Sequence, residues 1–161
     1  MLCVKDISRE DAEQFFLKDL ELCKRALTDA ELDNIMALSE YTPFDSSRFI
    51  GIIHDNILIG VIKYEEFTNI TVNLHLYLLS FLHGKDVFKD IHQPVTEWFI
   101  KNTGYKKAVV LAPGCCSHVH GAAEIAGFKL EGKLEKAIEW RDKDEDIYVY
   151  ALDLNTIRRK Q

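Results

Sequence analysis

The chain has 161 residues, 47% of them apolar and 29% charged, with a formal net charge of −6. That length fits a single domain, residues 1–161, with a real core. The acidic balance argues against nonspecific binding to nucleic acid or to an anionic membrane, since both need a basic field. Leu2 to Lys5 read as a short strand. Ser8 is placed to cap a helix from Arg9 to about Phe16, with Glu10 and Asp11 in its first turn, where carboxylates favour the helix dipole. A second helical segment follows at about Lys18 to Ala26, and Thr28 with Glu31 makes a capping box for a helix to about Leu38. "YTPFDSS", Tyr41 to Ser47, breaks the pattern at Pro43.

The period then changes. Arg48 to Ile53 and Ile57 to Phe67 are rich in β-branched and aromatic residues, and "HDN" (His54, Asp55, Asn56) separates them, which predicts a hairpin. Ile70 to Leu79 is a third strand, apolar enough for both faces to be covered. A helix is expected from about Asp86 to Lys101, with Pro94 imposing a kink or a start nearer Gln93. "TGYKK", Thr103 to Lys107, supplies a glycine stop. Ala108 to Ala112 is a buried strand ended by Pro113 and Gly114, and Ser117 to Ala126 is a short helix stopped by Gly127. Phe128 to Trp140 and Ile147 to Leu154 are two strands joined by the charged turn "RDKDED". Arg158, Arg159 and Lys160 read as a solvated end. The order predicts one mixed sheet of six to seven strands flanked by helices, an α/β or α+β layered domain.

No run of about 18 apolar residues is present, so no membrane span is expected. "MLCVKDISRED" lacks a signal-peptide hydrophobic region, and a cytoplasmic protein is expected. Cys3, Cys23, Cys115 and Cys116 do not look like a disulfide framework; adjacent cysteines rarely bridge each other, and reduced thiols are the simpler reading.

"LHGKDVF", Leu82 to Phe88, joins the third strand to the following helix. A strand, a glycine–lysine turn and a helix can build an anion site, because N–H groups at a helix N-terminus point at the ligand. Asp86 and Phe88 occupy places where such a loop wants small, uncharged residues. "CCSHVH" puts Cys115, Cys116, His118 and His120 within six residues. It can be read as zinc ligands or a Cys–His nucleophile pair, but two adjacent cysteines rarely bind one tetrahedral ion without strain, and no second spaced pair follows. A loop and first helical turn with small buried thiols is the simpler reading, and no metal is expected. No Walker A, HExxH or GxSxG sequence is present.

The element order, with "GFKLEGKLEKAIEW" and "DEDIYVYAL" at its end, resembles the GNAT superfamily of N-acetyltransferases. Gly127 and Phe128 look like that family's turn into its sixth strand, and "DIYVYAL" like its last strand. The resemblance covers roughly residues 45 to 154. It implies a GNAT-like fold and acetyl-CoA as acyl donor. Its pyrophosphate would rest on the loop holding His83, Gly84 and Lys85, and its thioester carbonyl would be polarised by backbone near Leu78 and Leu79. The family's loop pattern is Gln/Arg-x-x-Gly-x-Gly/Ala; here His83 stands for the first residue, Asp86 for the first motif glycine and Phe88 for the last small residue. A carboxylate beside a pyrophosphate in a partly desolvated site is repulsive by on the order of several kcal/mol. The family often has an Asn followed seven residues later by a Tyr that protonates the leaving thiolate; these positions hold Cys116 and Ala123 here, and alanine transfers no proton.

His75, in the strand before the loop, is a candidate base, against the simpler reading of a bonded histidine on a sheet face. Glu65, beside Glu66 at the end of the hairpin's second strand, is another candidate base, and Cys116 a candidate nucleophile. Two functions follow as expectations. One is an acyl-CoA-dependent N-acetyltransferase whose pyrophosphate loop and general-acid position are degenerate, acting on an amine such as a protein amino group. The other is a non-catalytic GNAT-like protein working through protein contacts, such as a phage virion or head-assembly component, as a homo-oligomer or in a partner complex.

Overall fold

The computed structural model describes residues 1–19, 47–79, 82, 87–140 and 142–160. The helices expected beyond Asp19 and the break at Pro43 lie outside them. The chain divides into two compact units, one of Met1–Glu65 with His75–Lys85, the other of Glu66–Leu74 with Asp86–Gln161.

In the first unit the elements are β1 (Leu2–Ile7), α1 (Arg9–Lys18), β2 (Arg48–His54), and most of β3 (Ile57–Thr68) with the second half of β4 (Thr71–Leu78). Ser8 caps α1 as expected, and the cap is reciprocal: Asp11 N–H donates to Ser8 Oγ at 3.0 Å, and Ser8 N–H to Asp11 Oδ2 at 3.3 Å. The hairpin forms, but its turn is two residues rather than three. His54 already pairs with Ile57, and Asp55 (φ 48°) and Asn56 (φ 67°) take the left-handed conformations that a tight hairpin turn needs. β1 runs antiparallel to β2 from Leu2–His54 to Ile7–Phe49, two residues further than the apolar run suggested. Phe49 to Ile52 and Ile59 to Tyr64 are buried at successive positions, so both faces of these strands are covered. On one face Ala12, Phe15 and Phe16 of α1 pack with Phe49, Val61 and Tyr77.

The seven strands stand in one sheet in the order β1-β2-β3-β4-β5-β7-β6. β5 (Lys107–Pro113) belongs to the second unit with α2 (Val87–Asn102), α3 (Ser117–Ile125), β6 (Lys129–Glu139), β7 (Asp144–Asp153) and α4 (Leu154–Arg158). β4 and β5 pair in parallel from Thr71–Lys107 to Asn73–Val109; β5 and β6 each pair antiparallel with β7. Gly127, at φ 84°, stops α3: its N–H donates to Glu124 O and that of Phe128 to Ala123 O, both at 3.0 Å. This left-handed cap satisfies two terminal carbonyls and is why a glycine stands there.

Four expectations are corrected in this unit. α2 spans the expected helix, but of the two effects expected of Pro94 a start near Gln93 does not occur: the helix continues through Pro94, with Ile91 before it and Phe99 after it both buried, so packing outweighs the lost N–H. "RDKDED" is only partly a turn: Trp140 and Lys143 exchange backbone hydrogen bonds, and Asp144 to Asp146 already belong to β7. Leu154 does not end a strand but starts α4, where Asp153 caps Thr156 N–H at 2.9 Å. Arg158 is not a solvated end. Its Nη2 donates to Ile100 O, Thr103 O and Tyr105 O at 3.1–3.4 Å, satisfying carbonyls at and beyond the last turn of α2. Arg158→Ala is therefore expected to destabilise the protein by about 2 kcal/mol, read from urea unfolding, whereas Arg159→Ala should change little. Among the described residues no helix is long and apolar enough to cross a membrane.

Candidate functional site

In the first unit, two residues singled out separately in the sequence come together. Successive strand side chains alternate between faces, so His75 and Tyr77 share one face of β4. Tyr77 is held there by Phe16, edge-on with ring centroids 4.9 Å apart. On β3, Val61 packs into the same cluster and Glu65 lies four residues further on that face. The result is a contact of 3.7 Å between His75 Nε2 and Glu65 Oε1, with both side chains about one-third exposed (32% and 33%). A half-buried imidazole beside a carboxylate can take a proton and keep the resulting cation paired. Glu66, the next residue, is exposed.

The end of β4 is constrained by its neighbour. A Cβ on Gly60 would stand 2.6 Å from Leu78 Cδ2 and 3.0 Å from the Tyr77 carbonyl, so only glycine lets β3 approach here. Leu79 N–H donates to Ile59 O at 3.1 Å, which turns that donor toward β3. Leu82 N–H closes a turn onto Leu79 O at 2.9 Å. His83, Gly84, Lys85 and Asp86 lie outside the described residues. Phe88 falls in the first turn of α2, its ring stacked on His92 of the same helix with centroids 6.2 Å apart.

The second unit holds a separate polar cluster. His120 Nε2 lies 3.0 Å from Pro113 O, and Nδ1 lies 3.0 Å from Tyr150 Oη. A carbonyl only accepts, so Nε2 carries the hydrogen and the Tyr150 hydroxyl donates to Nδ1. Tyr148 meets the same ring edge-on at 5.0 Å. Sequence reading weighed His120 only with the cysteines and missed both tyrosines. The alternation "YVY", which places Tyr148 and Tyr150 on one face of β7, was the available signal. Burial, then the Glu124 carboxylate and Tyr148, push the Tyr150 hydroxyl above its ordinary value. The folded protein therefore holds that proton more tightly than the unfolded chain. Stability is intact below about pH 10 and falls as pH rises from there toward the raised native value. Tyr150→Phe should cost about 1 kcal/mol at neutral pH and reduce that alkaline fall, as measured by urea midpoints across the range.

Cys116, the candidate nucleophile, is buried just before α3, and Ala123 is buried in the helix, where the resemblance would place a tyrosine. Among the described residues no group of three or more His, Cys, Asp or Glu side chains could hold a metal ion.

Solved structures with the same fold include acetyltransferases. A candidate phosphinothricin N-acetyltransferase matches with TM-score 0.72 at 19% identity, over 96% of this chain and 99% of that one. The spermidine N-acetyltransferase SpeG of Vibrio cholerae, a dodecamer in one crystal form, matches with TM-score 0.73 at 13% identity, over 99% and 98%. A candidate acetyltransferase of Acinetobacter baylyi ADP1 matches with TM-score 0.71 at 14% identity, over 95% and 93%. The expected GNAT fold is thereby shown, in a divergent form. No curated protein matches the sequence. The model of the family described as "Protein of unknown function (DUF2824)" matches residues 16–159, and the chain belongs to that family.

Proposed function

We propose that this protein is an acyl-CoA-dependent N-acetyltransferase that uses the Glu65–His75 pair as its base. The observation that carries the reading is the 3.7 Å contact of these two side chains on the strands of a GNAT sheet. His75 takes a proton from the attacking ammonium group, and Glu65 stabilises the imidazolium that forms. Backbone groups near Leu78 and Leu79 would polarise the acyl carbonyl. His83, Gly84 and Lys85 would meet the pyrophosphate. Bound acetyl-CoA supplies an activated thioester; the chain's own part is to orient the amine and remove its proton. With Ala123 in place of a proton donor, the departing thiolate takes its proton from solvent. A protein amino group is the acceptor this reading favours.

The buried Ala123 also favours a second reading, a non-catalytic GNAT-fold protein acting through protein contacts as a homo-oligomer or in a complex, such as a phage virion or head-assembly component. Calorimetry with acetyl-CoA separates the two. Binding in the micromolar range is expected for the transferase, tightened further in Asp86→Gly by removal of a carboxylate from the loop that the GNAT resemblance gives to the pyrophosphate. No detectable heat at millimolar acetyl-CoA would sink the first reading and leave the second.

A further inference from the structure

The turn between β5 and α3 carries two thiols that the proposed transfer does not use. Cys115 Sγ and Cys116 Sγ lie 3.8 Å apart. Neighbouring side chains in a strand point to opposite faces, so this same-side placement is a product of the turn. Cys116 N–H donates to Pro113 O at 2.9 Å, and Cys116 sits at φ −97°, ψ 66°, outside both strand and helix geometry. Cys115 is exposed and Cys116 is buried; both are reduced.

We propose that Cys115 and Cys116 form a reversible redox site that closes to a vicinal disulfide on reaction with a hydroperoxide. The exposed Cys115 sulfur attacks the peroxide oxygen; the O–O bond breaks, Cys115 becomes a sulfenic acid and one alcohol or water leaves. The Cys116 sulfur then attacks the Cys115 sulfur, the S–O bond breaks and a second water leaves. Two thiols are oxidised and one peroxide is reduced, with no other reactant. The buried position of Cys116 suits the resolving role, since its nearest electrophile is its neighbour.

Ring size makes this a switch rather than a staple. Consecutive Cα atoms are about 3.8 Å apart, below the range of about 4.4–6.8 Å that an unstrained disulfide spans. The strained bond is the more easily reduced. Its effect is local and directed at α3. Cys116 O accepts the Val119 N–H at 2.9 Å as the helix begins, and one turn later His120 is tied to Pro113 O and Tyr150. Closing the ring pulls on the start of α3 against that tie.

The test treats the full chain with a slight excess of hydrogen peroxide under non-reducing conditions. Intact mass should fall by two hydrogens per chain, and peptide mapping should place the bond between Cys115 and Cys116. A mild thiol should restore the starting mass. Cys3→Ser should respond like the parent, whereas Cys116→Ser should stop at a sulfenic acid that dimedone captures at Cys115. Amide exchange in the first turn of α3 should rise on oxidation and return on reduction. A bond involving Cys3 or Cys23, a covalent dimer, oxidation of Cys115 to the sulfinic acid without ring closure, or unchanged exchange in α3 would each overturn the proposal.

Discussion

Replacing His75 with alanine is expected to lower kcat by about 10²–10⁴-fold while leaving acetyl-CoA affinity unchanged. The expectation rests on a division of labour along β4. His75 shares its strand face with Tyr77 and meets Glu65 at 3.7 Å, whereas the proposed reading gives donor binding to backbone near Leu78 and Leu79 and to the loop after them. A residue that acts only on the amine should depress kcat and kcat/KM together and leave the donor's dissociation constant alone. Glu65→Gln keeps the shape and removes the charge that stabilises the imidazolium, so its loss should be smaller. The double variant should be little worse than His75→Ala, because the carboxylate works through the imidazole. Steady-state kinetics with a saturating amine, paired with calorimetry of acetyl-CoA, reads all three. Full activity in His75→Ala would remove the pair from the mechanism and leave its contact as a structural one.

Phe16→Ala is expected to cost about 3–5 kcal/mol of folding stability, a large share of what a domain of this size has. Phe16 is 0% exposed, meets Tyr77 and Phe15 edge-on at 4.9 and 5.7 Å, and joins α1 to the face of β4 that carries His75. Truncation removes a buried ring and leaves a cavity among Phe49, Val61 and Tyr77. Urea unfolding followed by far-ultraviolet circular dichroism should show the shift in midpoint. Trp98 and Trp140 both lie in the other compact unit, so tryptophan fluorescence adds a second reading. Coincident shifts in both signals mean that the two units unfold together. An unchanged dichroism midpoint would mean that α1 contributes little to the first unit's stability.

Much of the architecture was legible because its signals are local. Ser8 with Asp11 starts a helix, Asp55–Asn56 turns a hairpin and Gly127 ends a helix, each through backbone geometry that a few adjacent residues dictate. Element order then led to the GNAT resemblance, and the fold agrees with it. Where local rules misled, tertiary contacts outweighed them. Pro94 breaks an isolated helix, but α2 is held on both sides of it by buried Ile91 and Phe99. Arg158 looks like a solvated cation in a basic tail, and its partners at Ile100, Thr103 and Tyr105 are more than fifty residues away.

The candidate site divides along the same line. By itself the sequence determined which chemistry is on hand: an imidazole before the loop, carboxylates at the end of the preceding strand, a glycine–lysine pair followed by Asp86 and Phe88, and an alanine where the GNAT resemblance expects a proton donor. Residue identity and spacing along the chain are enough for that. Only the tertiary structure decided that His75 meets Glu65 rather than Glu66, that Leu79 N–H is turned toward β3, and that His120 is tied to Tyr150. Each of these depends on strand register or on a helix docking against a sheet, and register is set by the packing of side chains far apart in the sequence.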